Sequence, residues 1–336
     1  MAEIKGSPVY SVYIVSGGTK YDVTNTVISQ DRAEPKGQIA QRLNLQIADT
    51  KVGGAWLSSL LKARSRVFVY AKYGSQEDEV FRGFLWNRVR NSSLTENELK
   101  YTCYDNLIYF QESEDSLYFS SGKSTKDIMS SICNKWGIKL QYSYDSITHE
   151  KMPLKGHLSD IFMEDILDPV KKRTKKKYVI RSEKDTMVVK PVGSNSTVYQ
   201  FIAGKNVMAT ASGWTMEGVI TKVVITGKAG SDDREPIEAE VTGNTSEYGT
   251  LQKLQNRSEN TSLEDAKIEA KNTIDEYGKP KWEYEISAPD IPWIRKGDKI
   301  YVEAGDIVGY RIITDVDRTI DQRTKEMILS LEDVGV

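Results

Sequence analysis

Histidine and cysteine are nearly missing from this chain of 336 residues, which has only His149, His157, Cys103 and Cys133. Two thiols make no disulfide framework, and two histidines with two cysteines at these separations do not give zinc-ligand spacing. No HExxH, CxxC, GxSxG or phosphate-loop pattern occurs, so metal hydrolysis and triad chemistry have no visible foothold. Both histidines follow the polar SYDS stretch and are expected on a surface loop. Cys103 and Cys133 sit in strand-like and helix-like surroundings, where buried free thiols are expected. The chain is therefore read as one kept in a reducing cytoplasm. No window approaches the roughly 18 apolar residues of a membrane span. The start, MAEIKGSPVYSVYIV, has one Lys before an apolar run that Tyr and Ser interrupt, which is not a signal-peptide layout. Charge of one sign is also lacking: 46 Lys and Arg face 48 Asp and Glu, a net of −2. No global basic field exists to recruit nucleic acid or an anionic membrane.

What is present is the balance of a folded protein, 39% hydrophobic and 28% charged, with 18 Tyr and 6 Trp against 7 Phe. Tyr and Trp carry a polar tip on an apolar body, which suits half-buried strand faces and wide contact surfaces. The length calls for two to four domains of roughly 100 residues each. Residues 8–110 read as strands throughout. VYSVYIV meets a Gly17-Gly18 turn and then KYDVT, a tight hairpin. RLNLQIAD places Leu43, Leu45 and Ile47 on one face. RVFVY, VFRGFLWNRV and ELKYTCYD complete a meander in which nothing looks helical.

The texture changes after Phe110. Ser124 and Asp127 make a capping-box-like start, Ile128, Met129, Ile132, Cys133 and Trp136 fall at helical spacing, and Gly137 closes the element. A second helix is predicted near 159–174, with Pro169 disturbing its middle, and 177–193 reads as a hairpin. Strand texture returns at WTMEGVITKVVITGK, and a polar loop is expected over 229–256. One strong helix then spans about 262–278, with Ser262 as N-cap and Leu263, Ala266, Ala270, Ile274 and Tyr277 as its apolar stripe. KWEYEISA, KGDKIYVEAG, GYRIITDVDR and EMILSLED end the chain as strands. The expected fold class is α+β, mainly β: two tube-like β-domains, 1–110 and 211–336, around a small α+β insert, 111–210.

The two ends echo each other. RSRVFVY, FRGFLWNRVR and ELKYTCYD have the layout of KGDKIYVEA, GYRIITDVDR and KEMILSLED. Chance likeness of two meanders is one reading. Duplication is the other, and three chains that each carry two similar domains would close a ring of six similar units.

Several segments together resemble a known family. They are GGTKYDVT, FRGFLWNRV, YTCYDNLIYFQES, STKDIMSSICNKWGI and WTMEGVITKVVITG, then the capped helix leading to PWIRKGDKIYVEAG and GYRIITDVDRTID. Their order resembles the XkdQ/YqbQ-type hub proteins of phage-like contractile tails, relatives of the T-even baseplate hub and late-control protein D. The resemblance covers nearly the whole chain. It implies a homotrimer whose tube-like domains form a pseudo-sixfold ring between the tail tube and the trimeric spike. It further implies a virion or phage-like particle assembled in the bacterial host cytoplasm. The implied partners are the tube protein, the spike protein, LysM-type and other baseplate proteins and the tape-measure protein. DNA would pass only as cargo, with no membrane insertion, cofactor or catalysis.

The candidate contact residues follow from local chemistry. In KKRTKKK, Lys171, Lys172, Arg173, Lys175, Lys176 and Lys177 form the sharpest charge run. It reads as a basic helix C-terminus, as a patch facing nucleic acid or peptidoglycan, or as a dock for an acidic baseplate partner. Trp293, in a Pro-flanked loop, and Trp56, after Gly53-Gly54-Ala55, are each an interface anchor or a lid on their own barrel end. Carboxylate clusters such as Glu112, Glu114 and Asp115, or Asp232, Asp233 and Glu235, read as solvated surface. The competing class is a tail-borne cell-wall hydrolase or peptidoglycan-binding module using a carboxylate pair.

Overall fold

The computed structural model describes residues 6–93, 97–229, 234–258 and 261–334. The polypeptide forms two compact units: Met1–Ala211 with Glu285–Val336, and Ser212–Tyr284.

In the first unit β1 (Val9–Ser16) turns at Gly17-Gly18 into β2 (Thr19–Asp22), followed by β3 (Val27–Glu34) and β4 (Arg42–Ala48). A clip of β5 (Lys51–Val52) and β6 (Ala55–Trp56) and a single turn α1 (Leu57–Leu60) lead to a meander. That meander is β7 (Arg66–Tyr73), β8 (Gln76–Ser92) and β9 (Asn97–Tyr104). The strands lie in the order β3-β4-β9-β8-β7-β1-β2. The alternation read in β4 is realised: Leu43, Leu45 and Ile47 are buried against Val67, Val69, Leu99, Tyr101 and Cys103. Gly83 is required in β8, because a Cβ there would meet the Tyr104 carbonyl at 2.1 Å. Residues 8–110 are not free of helix, however. A 3-10 turn (Thr24–Thr26), α1 and α2 (Ile108–Gln111) occur, each too short to leave a helical period in the sequence.

An α+β module follows: β10 (Glu114–Phe119), α3 (Thr125–Lys135), β11 (Lys139–Tyr142) and β12 (Met152–His157), then α4 (Leu158–Asp160), a π-helical stretch Ile161–Leu167 and α5 (Asp168–Thr174), and finally β13 (Tyr178–Glu183) and β14 (Thr186–Pro191). Ser124 caps α3 by accepting from the Asp127 amide at 3.1 Å, and Gly137 takes φ 66° after it. Pro169 does not end the second helix, but the winding changes beside it, from π over Ile161–Leu167 to α from Asp168. It sits in the first turn of α5, where an N–H is not needed, and the wider π stretch precedes it. Phe110, Phe162, Ile128, Met129, Ile132 and Leu158 fill this core, with the two Phe rings edge-on at 5.0 Å. β15 (Gln200–Ile202) and β16 (Ala209–Thr215) then return to the sheet.

Among the described residues the second unit holds a three-stranded sheet, a short connecting helix and one longer helix. β17 (Lys222–Thr226) lies between β18 (Ile237–Thr242) and β19 (Gln252–Asn256), with α6 (Thr245–Tyr248) connecting the outer two. α7 (Leu263–Tyr277) buries Ala266, Ala270 and Ile274 against Val223 and Ile225, and Ser262 accepts from the Asp265 amide at 3.1 Å. Tyr277 stays 42% exposed, so the apolar stripe stops at Ile274. The polar loop expected over 229–256 is in fact β18, α6 and β19, apart from 230–233, which lie outside the described residues. Both strands are largely exposed and carry little apolar alternation. Their backbone ladders to β17 and ion pairs such as Lys222–Glu240 at 2.9 Å hold them.

β20 (Lys281–Pro289), β21 (Lys299–Ala304), β22 (Ile307–Ile320) and β23 (Lys325–Asp333) complete the chain. They reproduce the N-terminal meander register by register. Phe84↔Tyr104, Leu85↔Cys103, Asn87↔Thr102 and Ser92↔Asn97 recur as Ile312↔Glu332, Ile313↔Leu331, Asp315↔Ser330 and Ile320↔Lys325, with one constant shift in numbering. The bulge at Trp86 recurs at Thr314. The entry turn recurs as well. Arg64 donates to the Leu85 carbonyl and accepts a left-handed φ of 61°, while Gly297 donates to Ile313 at φ 86°. The strand order β3-β4-β9-β8-β7 is matched by β16-β20-β23-β22-β21. The echo is therefore a structural repeat. The flanking strands differ: β1 joins β7 antiparallel, and β15 joins β21 parallel. The two repeats are fused because β3 also pairs with β22, through Arg32↔Arg318, Ala33↔Asp317 and Glu34↔Val316.

Asp105 closes the first repeat, accepting the Gln41 and Leu107 amides at 2.9 Å each from a fully buried position. Burial pushes its carboxyl from 3.8 up to about 7, against the pull of those amides. The folded chain thus holds this proton more tightly than the unfolded one. The associated stability is complete below about pH 4 and declines as pH rises towards 7. Urea unfolding across that window should show a flatter pH dependence for Asp105→Asn than for the parent. An unchanged slope would assign the dependence elsewhere.

Candidate assembly interface

Where β3 meets β22, a charged relay is buried. Asp290 follows β20 and is fixed by its own amide, which donates to the Lys325 carbonyl at 3.0 Å. Its Oδ1 accepts from Arg318 Nε at 2.9 Å, and its Oδ2 accepts from the Tyr10 hydroxyl. Arg32 Nη2 donates to the Tyr10 oxygen at 3.2 Å and Nη1 to the Val80 carbonyl at 3.3 Å. Arg318 Nη2 also donates to the carbonyls of Ile291 and Ile294. Arg32 and Arg318 are each 1% exposed. Burial pushes the Tyr10 phenol well above its ordinary value, with Arg32 opposing and Asp290 adding to the rise, so it remains a donor. At the far end of the seam Glu34 accepts from Arg295 Nε at 2.5 Å. Burial alone would raise Glu34, yet the Arg295 guanidinium holds it below the usual carboxylate range.

The first repeat carries the same corner without its cover. Asp49 follows β4, and its amide donates to the Asn97 carbonyl at 2.8 Å. Its side chain pairs with Arg90 Nη2 at 3.0 Å and accepts from the Ser58 amide at 2.9 Å. Asp49 and Arg90 thus occupy the places of Asp290 and Arg318. The difference is solvent: the Arg318 side chain is 0% exposed and that of Arg90 is 45% exposed. β7 begins at Arg66 opposite Phe84, and β21 begins at Lys299 opposite Ile312, so neither covers its neighbour past that point. Beyond that point β22 receives β3. Beyond it β8 shows an exposed edge, Arg88, Val89 and Arg90, and no strand covers it among the described residues.

The candidate tryptophans sit at equivalent places in these corners, each just before a fully buried residue, Leu57 or Ile294. Trp56 is 42% exposed beneath Lys51, whereas Trp293 is half-buried against the first repeat's core. The basic run lies apart, at the end of α5. Lys172 pairs with Asp168 at 2.8 Å, Lys176 with Asp145 at 2.9 Å and Lys177 with Glu332 at 3.1 Å. Lys175 takes φ 59° as the helix C-cap, and Arg173 is exposed. His149 departs from its expected loop position: it is 7% exposed and its ring bonds Thr125 Oγ1 at 2.9 Å, drawn inward by the Ser124↔Thr148 bridge. His157 is half exposed beside Glu114 at 3.3 Å. Of the carboxylates, Asp115 binds Lys135 at 2.6 Å, Glu235 accepts from Asn256 at 3.3 Å, and Asp232 and Asp233 lie outside the described residues. Among the described residues no cluster of His, Cys, Asp or Glu is placed to hold a metal, and no helix is long and apolar enough to cross a membrane. Sequence reading missed Asp49–Arg90 and Asp290–Arg318. The only trace was an acidic residue shortly before each tryptophan and an arginine late in each middle strand.

The YQBQ-like family model matches residues 38–332. This chain belongs to the YQBQ-like family. No curated protein matches the sequence. Solved structures resemble this YQBQ-like chain in fold. The 43 kDa tail protein of prophage MuSo2 from Shewanella oneidensis has TM-score 0.68 at 13% identity, over 96% of this chain and 98% of that one. A tail protein from Neisseria meningitidis MC58 has TM-score 0.69 at 13% identity, over 97% of each chain. The E. coli c3393 protein, described as a type VI secretion component similar to the T4 tail proteins gp27 and gp5, has TM-score 0.55 at 10% identity, over 91% of this chain and 73% of that one.

The two corners differ in a measurable way. Both aspartates are buried, so the difference lies with the arginines. Arg318 is shut off from water and also satisfies the Ile291 and Ile294 carbonyls, whereas Arg90 reaches solvent. Breaking a fully buried pair at one partner costs about 3–5 kcal/mol. Arg318→Ala should therefore lower unfolding stability more than Arg90→Ala in the isolated chain, read by urea titration. Equal losses would mean that Arg90 is not solvent-screened.

Proposed function

We propose that this chain is a non-catalytic hub of a contractile-tail baseplate or bacteriocin-like particle. Three copies close a pseudo-sixfold ring between the sixfold tail tube and the threefold spike. The observation that carries this reading is the repeat: one β-unit built twice in one chain, fused through β3 and β22. Three such chains supply six equivalent units while retaining threefold symmetry, as a tube-to-spike adaptor requires. Family membership and the fold shared with phage tail proteins support it. On this reading the two repeats are the tube-like domains. The second is formed by β15, β16 and β20 to β23 and not by the whole of 211–336, since Ser212–Tyr284 is a compact unit of its own. The α+β module serves neighbouring baseplate proteins. The tube, spike, LysM-type and tape-measure proteins are the partners, and DNA crosses only as cargo. The particle assembles in the bacterial host cytoplasm.

Quantitative mass spectrometry of purified particles should count three copies of this chain for every six tube subunits in one ring. Six copies, or one, would overturn the ring. A peptidoglycan zymogram of the full chain should stay uncleared, and clearing abolished by a carboxylate substitution would establish the hydrolase instead.

A further inference from the structure

The intramolecular seam is a template for the contact between copies. β3, the first strand of the first repeat, covers Val316–Arg318 of β22 and buries the Asp290–Arg318 corner. In the second repeat β16 holds the place of β3, at the end of the strand order. In the first repeat Arg88–Arg90 of β8 hold the place of Val316–Arg318, beside a corner in which Asp49 is buried and Arg90 is half-exposed. Each chain therefore carries one covering strand without a corner and one corner without a covering strand.

We propose that β16 of one copy pairs with the β8 edge at Arg88–Arg90 of the next, as β3 pairs with β22 within the chain. The contact is head-to-tail, so repetition closes a ring or runs on as a filament. It rests on the hub reading, which sets closure at three.

The edge chemistry agrees. Exposed edge strands are ordinarily guarded by charge, proline, shortness or a bulge. β2, at the other end of the strand order, is guarded in this way: it has four residues, including Lys20 and Asp22, and a 3-10 turn follows. β16 reads ATASGWT, seven residues without charge or proline, exposed from Ala209 to Trp214, with Trp214 at 63%. Small side chains let a neighbouring backbone approach, and the ladder itself provides the affinity. Val89, 58% exposed between two arginines, is the apolar residue presented on the receiving edge.

The test places Val89→Cys on β8 and Ala211→Cys on β16, both at exposed positions. The native Cys103 and Cys133 are buried with raised thiol pKa values and do not compete. Adjacent strands lie about 5 Å apart, within reach of a short bismaleimide. Purified particles carrying the double variant should give crosslinked dimers and trimers, stopping at the trimer, and neither single variant should give any. The isolated full chain at high concentration should give the same ladder more weakly. Crosslinking by the Val89→Cys single variant would show a twofold contact and overturn the proposal. Particles with three copies per ring but no crosslink would overturn this pairing and leave the hub standing. Particles without three copies would remove both.

Discussion

The relay Arg32–Tyr10–Asp290–Arg318 is the interaction on which the first unit depends. It joins residues from β3, β1, the turn after β20 and β22, so both ends of the sequence meet in one buried cluster. Charges taken out of water at this depth are tolerated only when each is hydrogen-bonded, and the geometry supplies those bonds one after another. A relay of this kind specifies register more than it adds stability. Sliding β3, with β1 in its own repeat, by one residue along β22 would part the Tyr10 hydroxyl from Asp290, the bond that carries the relay across the seam.

The two repeats diverge where something rests on them. Arg64 and Gly297 occupy the same left-handed position, yet a Cβ at Gly297 would lie 2.7 Å from Val179 of the α+β module. Arg64 meets no such neighbour and instead donates to the Tyr109 hydroxyl at 3.0 Å. The module grips both repeats differently: Asp185 holds Arg66 at 2.5 Å in one, and Arg181 holds Asp298 at 3.0 Å in the other. Comparing the repeats position by position therefore shows where each one departs from the layout they share.

The strands, both long capped helices and the meanders were legible because each rests on local signals: alternation in β4, Ser262 with Asp265, the Gly17-Gly18 turn. The strands β18 and β19 were not, since exposed strands held by ladder bonds carry no apolar period. His149 was misplaced because the polar residues around it hide a bridge that draws it inward. The corners were out of reach for a different reason. Asp49 and Arg90, like Asp290 and Arg318, become partners only through register. Nothing in either residue's neighbourhood announces the other. The tryptophans were noticed for the Pro- and Gly-bearing loops around them, while their equivalence depended on the buried residue that follows each, Leu57 and Ile294.

The pairing of Arg32 with Arg318 also sets an order of events during synthesis. β3 leaves the ribosome long before β22 exists, so the first repeat waits with an uncovered strand edge, and Tyr10 and Glu34 wait for Asp290 and Arg295. Contacts of such long sequence separation are slow to form and leave an aggregation-prone intermediate. The fused repeat therefore ties completion of the N-terminal half to synthesis of β22. Truncated products would keep the seam open, and the cell's chaperones and proteases would meet them before any assembly partner could.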